Sequence, residues 1–186
     1  MNMKNAVYNG AMFLQLDAVC ESIENKTEPD DDTEKEINLL VRCANLVLGE
    51  IVGCYLPLKK TEKVISDDGY VFYDELSKPI IDVYSVKNSS GEKIRFYEYF
   101  DRVKVGEVGE FEIEYSYSLN SLLLDDDLPF KSERISERII AYGIACEYCI
   151  ISGMVTEASI WQKRYYDALN GLNSKREKTI KPRGWV

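Results

Sequence analysis

Cys146 and Cys149 have the CxxC spacing that occurs in zinc sites and in redox-active thiol pairs. A structural zinc site requires four ligands, normally two such pairs or one pair together with histidines. The other cysteines, Cys20, Cys43 and Cys54, are isolated from one another in the sequence. Residues three apart on a helix share one face, and we therefore interpret the CxxC pair as reduced core residues.

Two runs of three aspartates, Asp30–Asp32 and Asp125–Asp127, concentrate carboxylates at two points of the chain. Carboxylate oxygens are ligands for Mg²⁺ and Ca²⁺, so a metal-dependent nuclease is one hypothesis. Neither run has the glycine and the spaced carboxylates of an EF-hand loop, and both lie where one element is expected to end and the next to begin. We interpret them as solvated turns or as an acidic lining.

The chain contains no histidine, which removes the commonest general base and excludes Ser-His-Asp and Cys-His mechanisms. Its nearest approach to a phosphate-binding loop, Gly106–Gly109, lacks the lysine and the strand–helix context of that motif. The sequence therefore predicts that the protein is not an enzyme and has no catalytic residues, no cofactor and no bound metal.

Basic residues and a tryptophan dominate the C-terminal tail, residues 173–186. A solvated chain end is one interpretation of this pattern. The other is docking, because a terminal tryptophan is costly to expose and a net charge of −9 makes a neighbouring copy an acidic partner. Head-to-tail docking of this kind favours a ring. The residues predicted to dock are Lys175, Arg176, Lys178, Lys181, Arg183 and Trp185.

The composition is that of a folded domain, with 45% hydrophobic and 30% charged residues among 186. No uninterrupted apolar run approaches the roughly 20 residues that span a bilayer, and the N-terminus lacks the apolar segment of a secretory signal. Five cysteines, an odd number, are typical of a reducing compartment. The negative charge argues against sequence-specific DNA binding, while thirteen tyrosines favour protein interfaces. We expect a soluble protein that folds in the cytosol.

Helical periodicity appears in four segments of the chain. The clearest has apolar positions from Ile37 to Tyr55, and Thr33 with Glu36 forms a capping-box pattern at its start. Pro57 is expected to end it. The other predicted helices cover about residues 4–24, residues 133–152 and a segment that begins near residue 156.

Strand-like alternation replaces the helical pattern between residues 61 and 117, where turn signals at Asp67–Gly69 and Asn88–Gly91 indicate about six strands. One strand is expected at residues 93–97. Over residues 111–117 apolar and polar residues alternate strictly, which predicts a half-buried antiparallel strand. The predicted fold is α+β: a helical bundle of about four helices, formed by the N- and C-terminal helix pairs, with an inserted antiparallel β-domain. We predict the bundle at residues 1–58 and 131–172, the β-domain at 59–120 and a docking tail at 173–186.

One further pattern extends over about residues 35–186. The segment Ile139–Tyr148, the later positions Gly153 and Trp161–Tyr165, and the terminal Arg183–Trp185 together resemble the head–tail connector proteins of tailed bacteriophages. The strongest resemblance is to the tail adaptor, or gatekeeper, proteins below the portal ring of short-tailed phages. The segment Leu46–Leu58 fits the same family.

The resemblance implies a homo-oligomeric ring in the virion neck, usually of twelve copies and assembled in the host cytoplasm. Such a ring joins the portal protein to the tail or nozzle protein, and it lines a channel that double-stranded DNA passes without sequence-specific binding. No membrane is involved. The C-terminal segment of the family commonly reaches the portal, a role that falls here on about Lys175–Trp185. The alternative is a non-enzymatic protein-interaction module that acts as a monomer or dimer.

Overall fold

The computed structural model describes residues 1–131 and 134–174, and the chain divides into two compact units. The helical unit contains Met1–Leu48 and the chain from Ser121 onward, and the β unit contains Gly49–Asn120. The mixed α+β class is confirmed. Within the described residues there are five α-helices and seven β-strands, compared with the predicted four helices and six strands.

Three of the four predicted helical segments match single helices except at their ends, and the first segment, about residues 4–24, is divided into two helices. A π-helical turn, Ile51–Tyr55, continues the third helix and stops before Pro57, in agreement with the predicted boundary. The helices are α1 (Met3–Leu14), α2 (Asp17–Asn25), α3 (Asp31–Glu50), α4 (Glu137–Ile151) and α5 (Val155–Ser174).

The first predicted helix is two helices, because Gln15 adopts a left-handed conformation with a φ of 58°. The N–H of Leu16 donates to the carbonyl of Ala11 at 3.0 Å, and the N–H of Gln15 donates to that of Met12 at 3.2 Å. This pair of bonds is the Schellman motif that commonly ends helices. Glycine usually occupies the left-handed position, so a glutamine there gave no stop signal in the sequence.

The predicted capping box at Thr33 is wrong, because α3 begins earlier. Asp30 caps the helix, and its Oδ1 accepts a hydrogen bond from the N–H of Thr33 at 2.8 Å. The hydrogen bonds with Thr33 also lower the pKa of Asp30. One of the two aspartate runs therefore includes the N-terminal cap of a helix, where a carboxylate satisfies a backbone donor that the helix leaves unpaired.

Small residues allow the helices of the helical unit to approach one another closely. Gly10 on α1 lies against Ile144 on α4, and Gly143 on α4 lies against Val47 on α3 and Tyr165 on α5. The side chains of Ile144 and Val47 are buried. Residues on α1, α3, α4 and α5 therefore share one buried core around the almost wholly apolar α4.

The β unit contains two antiparallel sheets, one with the order β1-β7-β3-β4 and one with the order β2-β6-β5. The predicted strand at residues 93–97 is in fact two short strands, and each belongs to a different sheet. The strands are β1 (Leu58–Ser66), β2 (Tyr70–Phe72), β3 (Ile80–Asn88), β4 (Lys93–Ile94), β5 (Tyr97–Glu98), β6 (Arg102–Lys104) and β7 (Gly109–Tyr117).

Alternating side chains from both sheets form the core of the β unit. Val71 and Val103 of the three-stranded sheet are fully buried, as are Ile113 and Tyr115 of the predicted half-buried strand. Strands β7 and β1 pair over nine residues each, from Leu58 opposite Tyr117 to Ser66 opposite Gly109. The alternation of the sequence over residues 111–117 thus predicted the buried face of β7 correctly.

Candidate interaction surfaces

The hairpin between β5 and β6 presents an exposed aromatic tip. The N–H of Tyr99 donates to the carbonyl of Arg102 at 2.8 Å, which leaves Phe100 and Asp101 as a two-residue loop. Tyr99 is 49% exposed, and Phe100 is as exposed as in an extended chain, at 102%. Loops of this length are ordinarily polar or contain glycine, and a fully exposed phenylalanine contributes little to folding, so its ring is available for contact with another molecule.

The outer face of the three-stranded sheet combines cations with aromatic rings, and we call it the cation–aromatic face. The strand register places Phe72 opposite Arg102 and both Tyr70 and Tyr97 opposite Lys104, on the side away from Val71 and Val103. Opposed residues share a face of a sheet, so the pairing brings these charges and rings together. The face consists of Tyr70, Phe72, Arg95, Tyr97, Tyr99, Arg102 and Lys104.

Arg102 lies at the centre of this face. Its guanidinium carbon is 5.1 Å from the ring centre of Tyr70, 5.5 Å from that of Phe72 and 6.0 Å from that of Tyr99. Its Nε is buried without a hydrogen bond and has only an ion pair with Asp101 at 3.5 Å, while 40% of the side chain remains exposed. The rings therefore hold a guanidinium in place with part of its surface open to a planar anion such as a carboxylate.

A second set of aromatic rings lies on the helical unit. Phe13 of α1 stacks against Tyr142 of α4 at 5.3 Å between ring centres and against Trp161 of α5 at 5.2 Å. Arg138 and Arg164, both exposed, lie over Tyr142 and Trp161 respectively. All three rings are partly exposed. Trp161 of α5 therefore lies at the surface, where its ring contacts Phe13 of α1 and Tyr142 of α4.

The predicted docking residues lie outside the described part of the chain. Lys175, Arg176, Lys178, Lys181, Arg183 and Trp185 all fall beyond residue 174. Their role as a docking tail stays a prediction. The cation–aromatic face was not singled out from the sequence, although the segment from residue 96 to residue 102 carries four aromatic residues and ends in an arginine.

A polar cluster on β1 is the arrangement in the β unit that most resembles catalytic chemistry. The carboxylate of Glu62 accepts hydrogen bonds from the N–H and hydroxyl of Ser77, from the hydroxyl of Tyr115 at 2.7 Å and from Lys60. A serine beside a lysine is a nucleophile–base pair in some hydrolases. Here the carboxylate binds both groups, so the cluster ties β1, β7 and residue 77 together and leaves no unpaired base beside Ser77.

The same contacts control the ionisation of Glu62. Burial alone would raise the pKa of Glu62, but the hydrogen bonds from Lys60, Ser77 and Tyr115 outweigh burial and lower the pKa to about 2. Burial and the acceptor Glu62 together raise the pKa of Tyr115 to about 12. The charged carboxylate and the neutral phenol are thus both favoured across the physiological range.

We expect the Glu62→Gln variant to differ most from the wild type at neutral pH. Because the pKa of Glu62 is lowered on folding, its contribution to stability is fully present above its ordinary pKa of 4.5 and is lost as the pH falls towards about 2. The difference in melting temperature between the two proteins should therefore shrink between pH 5 and pH 2. Thermal unfolding followed by circular dichroism measures this, and a difference that is constant over that range would contradict the assignment.

The second aspartate run also has a structural role. Oδ2 of Asp126 accepts a hydrogen bond from the N–H of Leu123 at 2.7 Å, and its carbonyl accepts one from the N–H of Met3 at 2.9 Å. The run thus forms a turn and fastens the N-terminal segment. Over residues 1–131 and 134–174, no three cysteine, aspartate or glutamate side chains lie close enough together to hold a metal ion.

The CxxC residues are buried on α4, as interpreted from the sequence. Sγ of Cys146 contacts the carbonyl of Ala158 at 3.6 Å, and burial raises the pKa of Cys149. Burial also raises the pKa of Cys43, to about 12. The raised pKa values of Cys43 and Cys149 favour the neutral thiol, which is less nucleophilic than the thiolate. Cys54 departs from the expected pattern, because it is exposed.

One helix among the described residues, Asp31–Tyr55, is long and apolar enough to cross a membrane by length and composition alone. The sequence expectation, which considered uninterrupted apolar runs, did not identify it. Core helices meet the same criterion, and α3 directs one apolar side into the protein. We interpret it as a core helix whose buried residues are Ile37, Leu40, Cys43, Ala44, Val47, Leu48, Ile51 and Val52.

No protein-family model matches this chain, and a search of curated proteins found no relative. The geometry of the described residues and the resemblance noted in the sequence therefore carry the functional argument.

Proposed function

We propose that this chain is a virion structural protein that assembles as a ring at the neck of a tailed bacteriophage. In this role it joins the portal protein to the tail or nozzle protein and surrounds the passing double-stranded DNA. The observation that carries the proposal is the exposed aromatic tip at Phe100, next to the half-exposed Tyr99. Exposed aromatic rings at a loop tip are typical of surfaces that become buried in an assembly.

The division of the chain supports a structural role. Both ends of the chain contribute to the helical unit, and we propose that α1 to α5 act as the bundle of a ring subunit. The inserted β unit then supplies a contact surface, the cation–aromatic face. The clusters that resemble chemistry are accounted for by capping, turn formation and hydrogen bonding within the fold.

The net charge of −9 fits a protein that surrounds DNA without gripping it. Affinity for duplex DNA depends on neutralising phosphates with lysine and arginine, and an acidic wall opposes this. A channel lined in this way allows the genome to pass without sequence-specific binding.

Ring formation by the full-length chain is the first expected result. Mass photometry over a range of concentrations should show a closed oligomer of many copies, and negative-stain images should show a ring. A chain that stays monomeric or dimeric at every concentration would contradict the proposal and favour the interaction-module alternative.

Removal of residues 173–186 tests whether the predicted docking tail is needed for assembly. We expect the truncated protein to retain its helical circular dichroism, because the cut falls at the end of α5, and to lose docking to the portal or to the next subunit. A control that replaces only Trp185 with alanine separates the aromatic contribution from that of the basic residues. Normal assembly and portal binding by the truncated protein would show that the tail has no docking role.

A further inference from the structure

The acidic charge of the helical unit is concentrated in one segment. Residues 17–36 contain nine carboxylates and two lysines, and we call this stretch the acidic segment. It covers α2, the connection after it and the first turn of α3, and eight of its nine carboxylate residues are exposed. The exposed carboxylates are Asp17, Glu21, Glu24, Glu28, Asp30, Asp31, Asp32 and Glu34.

We propose that the cation–aromatic face of one copy binds the acidic segment of the next copy. Arg102 would pair with carboxylates through its exposed surface, and Lys104 would add charge beside it. Phe100, wholly exposed at the hairpin tip, would supply the apolar anchor of the contact. This inference rests on the self-assembly proposed above and identifies the two surfaces that produce it.

Charge complementarity favours a second copy as the occupant of the face. The acidic segment lies in the helical unit and the cation–aromatic face lies in the β unit. In an assembling ring, neighbouring copies present these two surfaces to each other at high local concentration. Because the two surfaces differ, the contact is head-to-tail and each copy can bind two neighbours. Such contacts close into a ring when the rotation between copies permits it.

Single-stranded nucleic acid is the competing occupant, since basic and aromatic residues together bind it in other proteins. Base stacking requires open ring faces. Each of the four rings on this face already has a cation beside it: Tyr70, Phe72 and Tyr99 lie near Arg102, and Tyr97 lies near Arg95 at 5.2 Å. The rings therefore act as supports for the cations more than as platforms for bases.

A charge-swap experiment on the full-length chain tests the inference. The variant R102E/K104E reverses the face, and E24K/E28K reverses part of the acidic segment while retaining the Asp30 cap and the first turn of α3. Each variant alone should self-associate at least about tenfold more weakly than the wild type. An equimolar mixture should recover association, because each reversed surface then meets its complement.

The control variant K78E/K93E makes the same charge change on exposed lysines outside the three-stranded sheet. It should associate like the wild type. Circular dichroism of all variants checks folding, and the single variant F100S, at a fully exposed position, weakens association without a folding risk.

The outcomes separate this inference from the proposed function. If the wild type does not self-associate, the ring proposal fails. If the wild type associates and R102E/K104E associates equally well, or if the mixture does not recover association, the inference fails while the ring proposal stands. Binding of a fluorescent single-stranded oligonucleotide that R102E/K104E abolishes, with self-association unchanged, would assign the face to nucleic acid and overturn the inference.

Discussion

The Gly143→Val variant is expected to lose about 3 kcal/mol or more of folding stability. A Cβ atom at this position would lie 2.7 and 2.8 Å from the two methyl carbons of Val47 and 3.0 Å from a ring carbon of Tyr165. Val47 and Tyr165 are 2% and 3% exposed, so neither has free space to move into. A larger side chain must therefore push α3 or α5 away from α4.

Tryptophan fluorescence measures this effect selectively. The two tryptophans, Trp161 and Trp185, lie outside residues 49–120, so their emission reports on the helical unit and tail and not on the β unit. Urea unfolding followed by this signal should shift to a much lower midpoint in the variant. Gly49→Val is the matched control, because nothing lies within 4 Å of a Cβ there, and it should change stability by no more than about 0.5 kcal/mol.

Relief of the clash provides an independent check. In the Gly143→Ala background, Val47→Ala should cost less than it does in the wild type, because it removes the two methyl groups that meet the new Cβ. Additive effects of the two substitutions would show that the approach of α4 to α3 is looser than the structure indicates.

Tyr115→Ala is expected to cost the β unit about 3–5 kcal/mol, the range for removing a large buried aromatic side chain. Tyr115 is 0% exposed in the core between the two sheets, and its hydroxyl donates to Glu62. Tyr115→Phe keeps the packing and removes only the hydrogen bond, so we expect a cost of about 1–2 kcal/mol. The difference between the two variants separates packing from hydrogen bonding.

Hydrogen exchange of peptides from β1, β3 and β7 is the suitable measurement, since the β unit contains no tryptophan. Faster exchange in all three strands is expected for Tyr115→Ala, because β7 pairs with both neighbours. Tyr84→Ala is the control: Tyr84 is 41% exposed on β3 and should contribute about 1 kcal/mol or less. Equal effects of the two alanine substitutions would contradict the burial of Tyr115.

Local patterns in the sequence predicted the elements that depend on local physics. The apolar positions from Ile37 onward gave α3, and the alternation around Ile113 and Tyr115 gave β7 with its buried side. The failures arose where tertiary contacts decide the backbone. Gln15 ends α1 in a conformation that glutamine rarely adopts, and the connection at residues 95 and 96 carries the chain from one sheet to the other without a glycine or proline signal.

The cation–aromatic face was beyond sequence reasoning for a related reason. Tyr70 and Lys104 are separated by thirty-four residues and meet only through the register of β2 and β6. A single sequence does not give that register. Composition suggested that the many tyrosines serve contacts, but only the folded structure shows that two of them, Tyr70 and Tyr99, lie beside Arg102.

Because Leu58 at the start of β1 pairs with Tyr117 at the end of β7, the strands of the β unit can be transferred to another protein as one segment. Residues opposite each other on antiparallel strands have Cα atoms only about 5 Å apart. The two ends of the sixty-residue segment Leu58–Tyr117 therefore lie as close together as the ends of a tight turn. A short peptide linker can bridge such a gap. The segment, which carries the cation–aromatic face, can therefore be grafted, exchanged or deleted as a single piece. For the rest of the protein such a change is equivalent to the replacement of one loop.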